Sequence, residues 1–418
     1  MTLPAAPSEV GAPTVSGSLW MLGGPGVVFV VLLVGIAMGQ LGGILAPALV
    51  DEWRATKAAG GVGMSEAHAG LTTSLEILCV ALGAGVFSIQ PLRLGKRLLT
   101  ALAATSAGLY ALAASAATPE AIIPLRATAG LLSGLVLGRI STLLPLALEP
   151  QRMAGALTIG VTLIGVPVFL LSQWVLGEFG PGAVALVHAA TLACMTAALA
   201  LLPLPEPAAV VAKSWGLRKL PVIDLRIIAA LFAVGLADSM LYPFLSLYGQ
   251  PLGVTGQSLL QLLLLSALVT PLGAAACYLV RRPEATLRAA RLLIAVKAAG
   301  CAAYVLAPNG TVLGTLFVVQ GLCFFAIVPK LQSLLARLDS TGDSVALSTA
   351  ALLAAQGTGP LVTTALLATT TQSAALFSGA LAAGLLGLAA VLVLPRFRRG
   401  PFVAAARARP DHIRGDGP

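Results

Sequence analysis

Apolar residues along this chain neither alternate nor form a stripe against a polar face; they run in blocks of about twenty with almost no charge. A helix of that length crosses the ~30 Å hydrocarbon core of a bilayer and closes its own backbone hydrogen bonds where no water can do so. Twelve such helices are predicted. The first six fall near 26–50, 69–89, 98–117, 122–147, 153–176 and 183–202. The second six fall near 227–248, 257–280, 289–307, 311–329, 344–369 and 374–395, and every segment is bounded by proline, glycine or charge. The longest polar interruption separates the two sets. The expected organisation is a disordered cytosolic tail at 1–25, a six-helix bundle at 26–203, a cytosolic linker at 204–226, a second six-helix bundle at 227–395 and a basic cytosolic tail at 396–418. The fold class is an all-α membrane protein.

Composition removes the competing classes. Of 418 residues, 58% are hydrophobic, 45 are glycine and only 10% are charged, with a mean hydropathy of +0.95. That leaves too few polar side chains for the shell of a soluble globule, and it is the reverse of a disordered chain. The net charge of +9 matters through its distribution. With the N-terminus inside, 20 of the 25 Lys and Arg residues fall on one face of the predicted bundle, here called the basic face. Only Arg54 and Lys57 fall on the opposite face, and Arg126, Arg139 and Lys297 lie within spans. Cytoplasmic loops retain positive charge during insertion, so the chain is expected to cross the cytoplasmic (inner) membrane many times with both termini in the cytosol. Insertion bias and contact with anionic head groups account for the charge without nucleic acid. Cys79, Cys194, Cys277, Cys301 and Cys323 all sit in apolar runs without C-x-x-C spacing, which reads neither as a disulfide framework nor as a zinc site. The first 24 residues carry no Lys or Arg and lack the charged start of a signal peptide.

The two halves echo each other faintly. The predicted fifth helix carries Gly165-Val166-Pro167, and the eleventh, six helices later, carries Gly357-Thr358-Gly359-Pro360. Gly70 to Glu76 and Gly256 to Gln261 echo more weakly. Repeated halves are how many secondary transporters build a site at the bilayer midplane. Pro91-Leu92-Arg93-Leu94-Gly95-Lys96-Arg97, downstream of Gly85, matches the later part of the loop signature G-x-x-x-D-R-x-G-R-R between helices two and three. With twelve spans split six and six, the chain resembles the major facilitator superfamily. That resemblance implies two pseudo-symmetric bundles rocking about a central cavity that opens to one side at a time. Leu92 stands where the family has an aspartate that helps hold the cytosolic side closed, while Arg93, Gly95, Lys96 and Arg97 keep the turn. Arg126-Ala127-Thr128-Ala129-Gly130 resembles a second motif, R-x-x-Q-G, whose arginine the family implicates in proton coupling. The helix-five motif typical of antiporters is represented only by Gly160, Gly165 and Pro167.

An intramembrane charge costs at least ~2.5–3.5 kcal/mol at a helix centre, so each is a functional candidate. Glu76 and Asp238 are the only carboxylates inside the predicted helices, with Asp238 near mid-membrane. A carboxyl group whose surroundings alternate between protein and water can change protonation with that alternation. Coupling is one reading; the other is that Glu76 pairs with Arg126 and joins helices two and four. Arg126 and Arg139, 13 residues apart, point to different faces of helix four. Arg126 is a candidate for coupling or for binding an anion; Arg139 is likewise a candidate charge site, the simpler alternative being that it pairs with Glu149 or carbonyls near the inner face. Lys297 and His188 are expected to be structural, with Lys297 snorkelling to the cytosol and His188 near the outer interface.

The neutral polar residues Gln40, Gln173, Tyr242, Gln257, Gln261, Gln320 and Gln356 are candidate cavity residues, since an amide facing lipid has no partner. Helix–helix hydrogen bonding is the simpler use of any one of them. Pro167, Pro243, Gly359 and Pro360 are candidate helix breakers, and Pro243 can open helix seven beside Asp238 and Tyr242.

No catalytic constellation or metal-ligand cluster is evident, and His188 alone lies within a span, so neither enzymatic activity nor a metal, haem or other cofactor is expected. Scattered polar groups in a twofold pattern suit alternating access better than a channel. The leading expectation is a monomeric, proton-coupled permease for a small organic solute, with efflux favoured because the cavity is mostly apolar. The alternatives are uptake of an organic anion held by Arg126 or Arg139, and a non-transporting membrane sensor on the same scaffold.

Overall fold

The computed structural model describes residues 25–55, 61–89, 94–147, 149–180, 182–204, 222–279, 283–338, 343–369 and 374–393. Arg93 and Leu92 of the loop motif, most of the linker and both tails lie outside the described residues. Where twelve helices are predicted the chain is helical: α1 (Pro25–Arg54), α2 (Glu66–Ile89), α3 (Lys96–Ser115), α4 (Pro119–Ser141), α5 (Pro150–Phe179) and α6 (Ala183–Leu201) form the first half. The second half is α7 (Val222–Leu241), α8 in two pieces (Gly256–Val269 and Leu272–Leu279), α9 (Pro283–Tyr304), α10 (Gly310–Leu338), α11 (Asp343–Thr369) and α12 (Ala374–Leu392). No strand occurs among the described residues.

Nine of the described helical stretches are long and apolar enough to cross a membrane. Helices α7, α9 and α12 are not among them: α12 contributes only the shorter apolar stretch Ser378–Leu392, α7 carries Asp224, Arg226 and Asp238, and α9 carries Glu284, Arg288, Arg291 and Lys297. Prolines move several boundaries. Helix α4 stops at Ser141, short of the predicted 147, because the chain turns through the 3-10 segment Leu144–Leu146. Helix α7 ends at Leu241 and passes into the 3-10 turn Tyr242–Phe244, so Pro243 ends the helix where an opening was expected. Helix α8 breaks between Val269 and Leu272, around Pro271. Pro167 and Pro360 remain inside α5 and α11, as does Pro329 inside α10. Because α10 runs on to Leu338, past the predicted end at 329, Lys330 lies within the helix and is buried.

Small residues set the helix spacing. Lipid supplies no hydrophobic drive between helices, so close backbone approach has to come from shape. A methyl group added at Gly134 of α4 would strike the Val80 carbonyl of α2, and one at Gly83 of α2 would strike the Leu131 carbonyl of α4. The same device joins the halves along α2 and α11, where a Cβ at Gly357 would lie 3.0 Å from the Ser74 carbonyl and 2.9 Å from Leu78. At the basic face α5 meets α8: a Cβ at Gly155 would lie 3.0 Å from the Ala274 carbonyl and 3.0 Å from Cys277. Beside it Arg337 of α10 donates to Gln151 Oε1 of α5 at 2.9 Å, a second cross-half contact on this face. Within the loop motif, Gly95 is the extended residue before α3, Lys96 and Arg97 form its first turn, and Gly85 faces Ala350 of α11.

Candidate functional site

Each half holds an ion pair, built differently. In the first half Arg126 Nε of α4 donates to Glu76 Oε2 of α2 at 2.7 Å, and Arg126 Nη2 bridges to the same oxygen. Tyr110 of α3 donates its hydroxyl to Glu76 Oε1 at 2.7 Å. The guanidinium lies between two rings, 4.8 Å from the Trp53 centroid and 4.9 Å from that of Tyr110. His188 of α6 closes the cluster, with Nδ1 3.4 Å from Arg126 Nη2 and its ring 4.2 Å from Tyr110. Side-chain exposure is 1% for Arg126 and 2% for Glu76. The packing leaves no slack, since a methyl at Gly42 of α1 would strike Glu76 Oε1.

In the second half Lys297 Nζ of α9 donates to Asp238 Oδ1 of α7 at 2.5 Å. Here the burial is uneven: the lysine is 1% exposed and the aspartate 21%. Lys297 Nζ also donates to the Gln320 backbone carbonyl of α10 at 3.1 Å, and Gln320 Nε2 returns a bond to the Lys297 carbonyl at 2.9 Å. Gly300 leaves the room for that amide, because a methyl there would strike Gln320 Nε2. Phe324 lies 5.6 Å from the ammonium. One turn beyond Asp238, Tyr242 is exposed and stacks on Phe317 with centroids 5.5 Å apart and planes 20° from parallel.

Several sequence expectations change. Lys297 does not snorkel to the cytosol; it is enclosed and turned toward Asp238, because that carboxylate is a nearer partner than water. His188 is fully buried, against Arg126. Glu76 and Asp238 are not the only acids withdrawn from solvent. Glu52 near the end of α1 accepts from the Val184 and Ala185 amides at the start of α6, and Asp224 accepts from the Ser344 hydroxyl at 2.7 Å. Arg139 bonds the Thr142 hydroxyl at 3.1 Å, while Glu149 pairs with Arg152. Among the glutamines, Gln320 is buried between α9 and α10, Gln40, Gln173 and Gln356 are half-buried, and Gln257 and Gln261 are exposed. Tyr110 and Trp53 were not singled out in the sequence, although aromatics are scarce at 5% and both sit in Ala- and Gly-rich surroundings.

Two halves of six helices, each holding an ion pair between its own helices, form an all-helical fold with nine described stretches long and apolar enough to cross a membrane. The sequence profile of the Major Facilitator Superfamily matches residues 27–344, well over half of the chain, and the chain belongs to that family. It is a membrane transporter and not an enzyme. Among solved structures it is similar to the human organic anion transporter MFSD10 (TETRAN), at 18% identity and a TM-score of 0.64, covering 92% of this chain and 100% of that one. It is also similar to the proton:xylose symporter XylE bound to 6-bromo-6-deoxy-D-glucose, at 14% identity and a TM-score of 0.67, covering 90% of this chain and 95% of that one. At such identities the likeness is one of fold. No curated protein sequence matches the chain.

Proposed function

We propose that this transporter moves a small organic solute by alternating access, coupled to protons, and that Asp238 carries the coupling proton. One observation supports this above the others: of the two ion pairs, only Asp238–Lys297 has a carboxylate that keeps contact with its surroundings while its partner is enclosed. Coupling requires a group that exchanges protons with water in one conformation and is held by protein in the other. Glu76, with Tyr110 and Arg126 on its two oxygens, has no such access. Its cluster serves as a staple between α2, α3 and α4.

The direction that fits best is efflux across the cytoplasmic membrane, with both termini cytosolic. The halves meet at the basic face through Gly155, Ala274, Gln151 and Arg337, and along α2 and α11 through Ser74, Leu78 and Gly357. Both ion pairs are complete within one chain, which suits a monomer. Uptake of an organic anion on Arg126 loses its anchor, since that guanidinium is enclosed by Glu76, Trp53 and Tyr110. Purified protein in liposomes tests the proposal: an imposed pH gradient should drive uphill solute movement by the wild type and not by Asp238→Asn. Flux indifferent to both the gradient and the substitution would defeat it.

A further inference from the structure

We infer that Glu52 is a proton-operated latch at the end of the first half opposite the basic face: with its proton it stays enclosed between α1 and the start of α6, and without it the group turns to water and lets the two helix ends part. The inference goes beyond the reading of Asp238 and does not depend on it. Helix α6 has no cap of its own, because it begins after Gly182, a residue without a side chain held at φ 96°. Glu52 supplies the cap from α1: its Oε2 accepts from the Val184 amide at 2.7 Å and from the Ala185 amide at 3.3 Å. These are the second and third amides of the helix, the two that an ordinary cap takes. A contact between two helices therefore hangs on one carboxyl group, which is 3% exposed.

A cavity of about 230 Å³ stands beside the group, lined by Glu52 and Trp53 of α1, Val62 beyond it, Ser115 at the end of α3 and Gly182. At ~30 Å³ per molecule it has room for several waters, so the proton has somewhere to go. Glu52 also lies beyond the apolar stretch Gly26–Ala46 of its helix. Burial pushes its pKa above the ordinary 4.5, outweighing the amides of Val184, Ala185 and Gly182 and the charge of Arg126, all of which pull it down. Enclosed, the carboxyl group thus holds its proton more tightly than it would in water. Below pH 4.5 both the enclosed and the hydrated forms are protonated and pH has no effect on their ratio. Above it closure takes up a proton, and each further pH unit favours the open form by up to about tenfold, until the enclosed group ionises as well. Acid closes the latch and alkali opens it. Of the groups on elements packed against it, Tyr110 on α3, Arg126 on α4 and His188 on α6 are engaged with one another and with Glu76. Arg54 on α1, His68 on α2, Glu120 on α4 and Glu178 on α5 are exposed, while Asp51 precedes Glu52 on α1 and Glu66 opens α2.

Trp53 adjoins Glu52 in sequence, is 3% exposed and becomes the sole tryptophan of the full chain once W20F, W174F and W215F are introduced. Acrylamide, an uncharged quencher, then reads how open this end is in detergent solution. Its quenching constant for Trp53 is expected to rise about twofold or more between pH 4.5 and about pH 8.5, in a single proton step. In Glu52→Gln the constant should stay low across that range, because the amide keeps an acceptor oxygen and cannot ionise. Asp238→Asn should leave the step in place, since the coupling pair takes no part in it. In the wild type with all its tryptophans, hydrogen exchange of the Val184 and Ala185 amides, corrected for the intrinsic effect of pH, should accelerate over the same step. That second measurement decides the matter if a thermal melt shows Glu52→Gln to be misfolded. Quenching that is constant or falls as pH rises, corrected exchange that ignores pH, a step that persists in folded Glu52→Gln, or one lost in Asp238→Asn overturns the inference.

Discussion

The two halves place polar groups at matching points of their repeats and use them differently. Tyr110 and Lys297 are each the fifteenth residue of their helices, α3 and α9, and Arg126 and Gln320 lie on the next helix of each half. In the first half the base sits on the fourth helix and takes its acid from the second, while the third supplies a phenol. In the second half the base moves to the third helix position, takes its acid from the first helix of that half, and the fourth supplies an amide. The consequence is burial. Glu76 has two protein donors and 2% exposure; Asp238 has one donor and 21%. The same scaffold thus yields a sealed pair that binds helices together and a second pair whose carboxylate stays partly exposed.

The largest way to break that contrast is to remove one partner of the sealed pair. Glu76→Gln leaves a buried guanidinium without its counter-charge and should cost about 3–5 kcal/mol, read as a lowered unfolding midpoint in detergent. Combining Glu76→Met with Arg126→Met should recover most of that loss, because an apolar pair of similar volume carries no desolvation penalty. A midpoint unchanged in Glu76→Gln would mean the pair is not sealed. Asp238→Asn should cost less, about 1–3 kcal/mol, because Lys297 retains the Gln320 carbonyl and the substituted site is already partly exposed, yet it should end gradient-driven flux. Equal destabilisation at the two sites would erase the distinction between staple and switch.

Smaller effects sharpen it. Tyr110→Phe removes a charge-assisted hydrogen bond from Glu76 and should lower stability by about 1–2 kcal/mol, with gradient-driven flux retained. Gln151→Ala removes the acceptor for Arg337 across the basic face, at about 0.5–1.5 kcal/mol. Its readout is Cys277, buried at 1% and packed beside Gly155: mapped by mass spectrometry, its alkylation by a thiol reagent should speed up as that face opens more often.

Much of this was legible in the sequence because a bilayer leaves few options. Runs such as 26–50 and 153–176 have to be helices, and the structure extends both by only a few residues. Glu76, Asp238 and Arg126 stood out as charges in apolar runs, and pairing of Glu76 with Arg126 was one of the two readings the spacing allowed. Lys297 was misjudged because snorkelling needs only a long side chain near a helix end, whereas pairing needs a carboxylate on a helix 59 residues away in sequence. Tyr110, Trp53 and the histidine contact escaped notice for the same reason: an aromatic in a membrane helix has the same sequence appearance whether it faces lipid or a guanidinium.

What the chain's order of residues determined alone was the number of apolar segments, the charged residues among them and the uneven spread of Lys and Arg, since each depends on the local cost of placing a group in hydrocarbon. Which acid meets which base, and which carboxylate stays accessible, was decided only when α2, α3 and α4 closed on one another and α7 met α9 and α10. A charge on one helix can be neutralised by any helix that reaches it, and that choice is made by the approach of backbones at glycines such as Gly42, Gly134 and Gly300, which no single segment encodes.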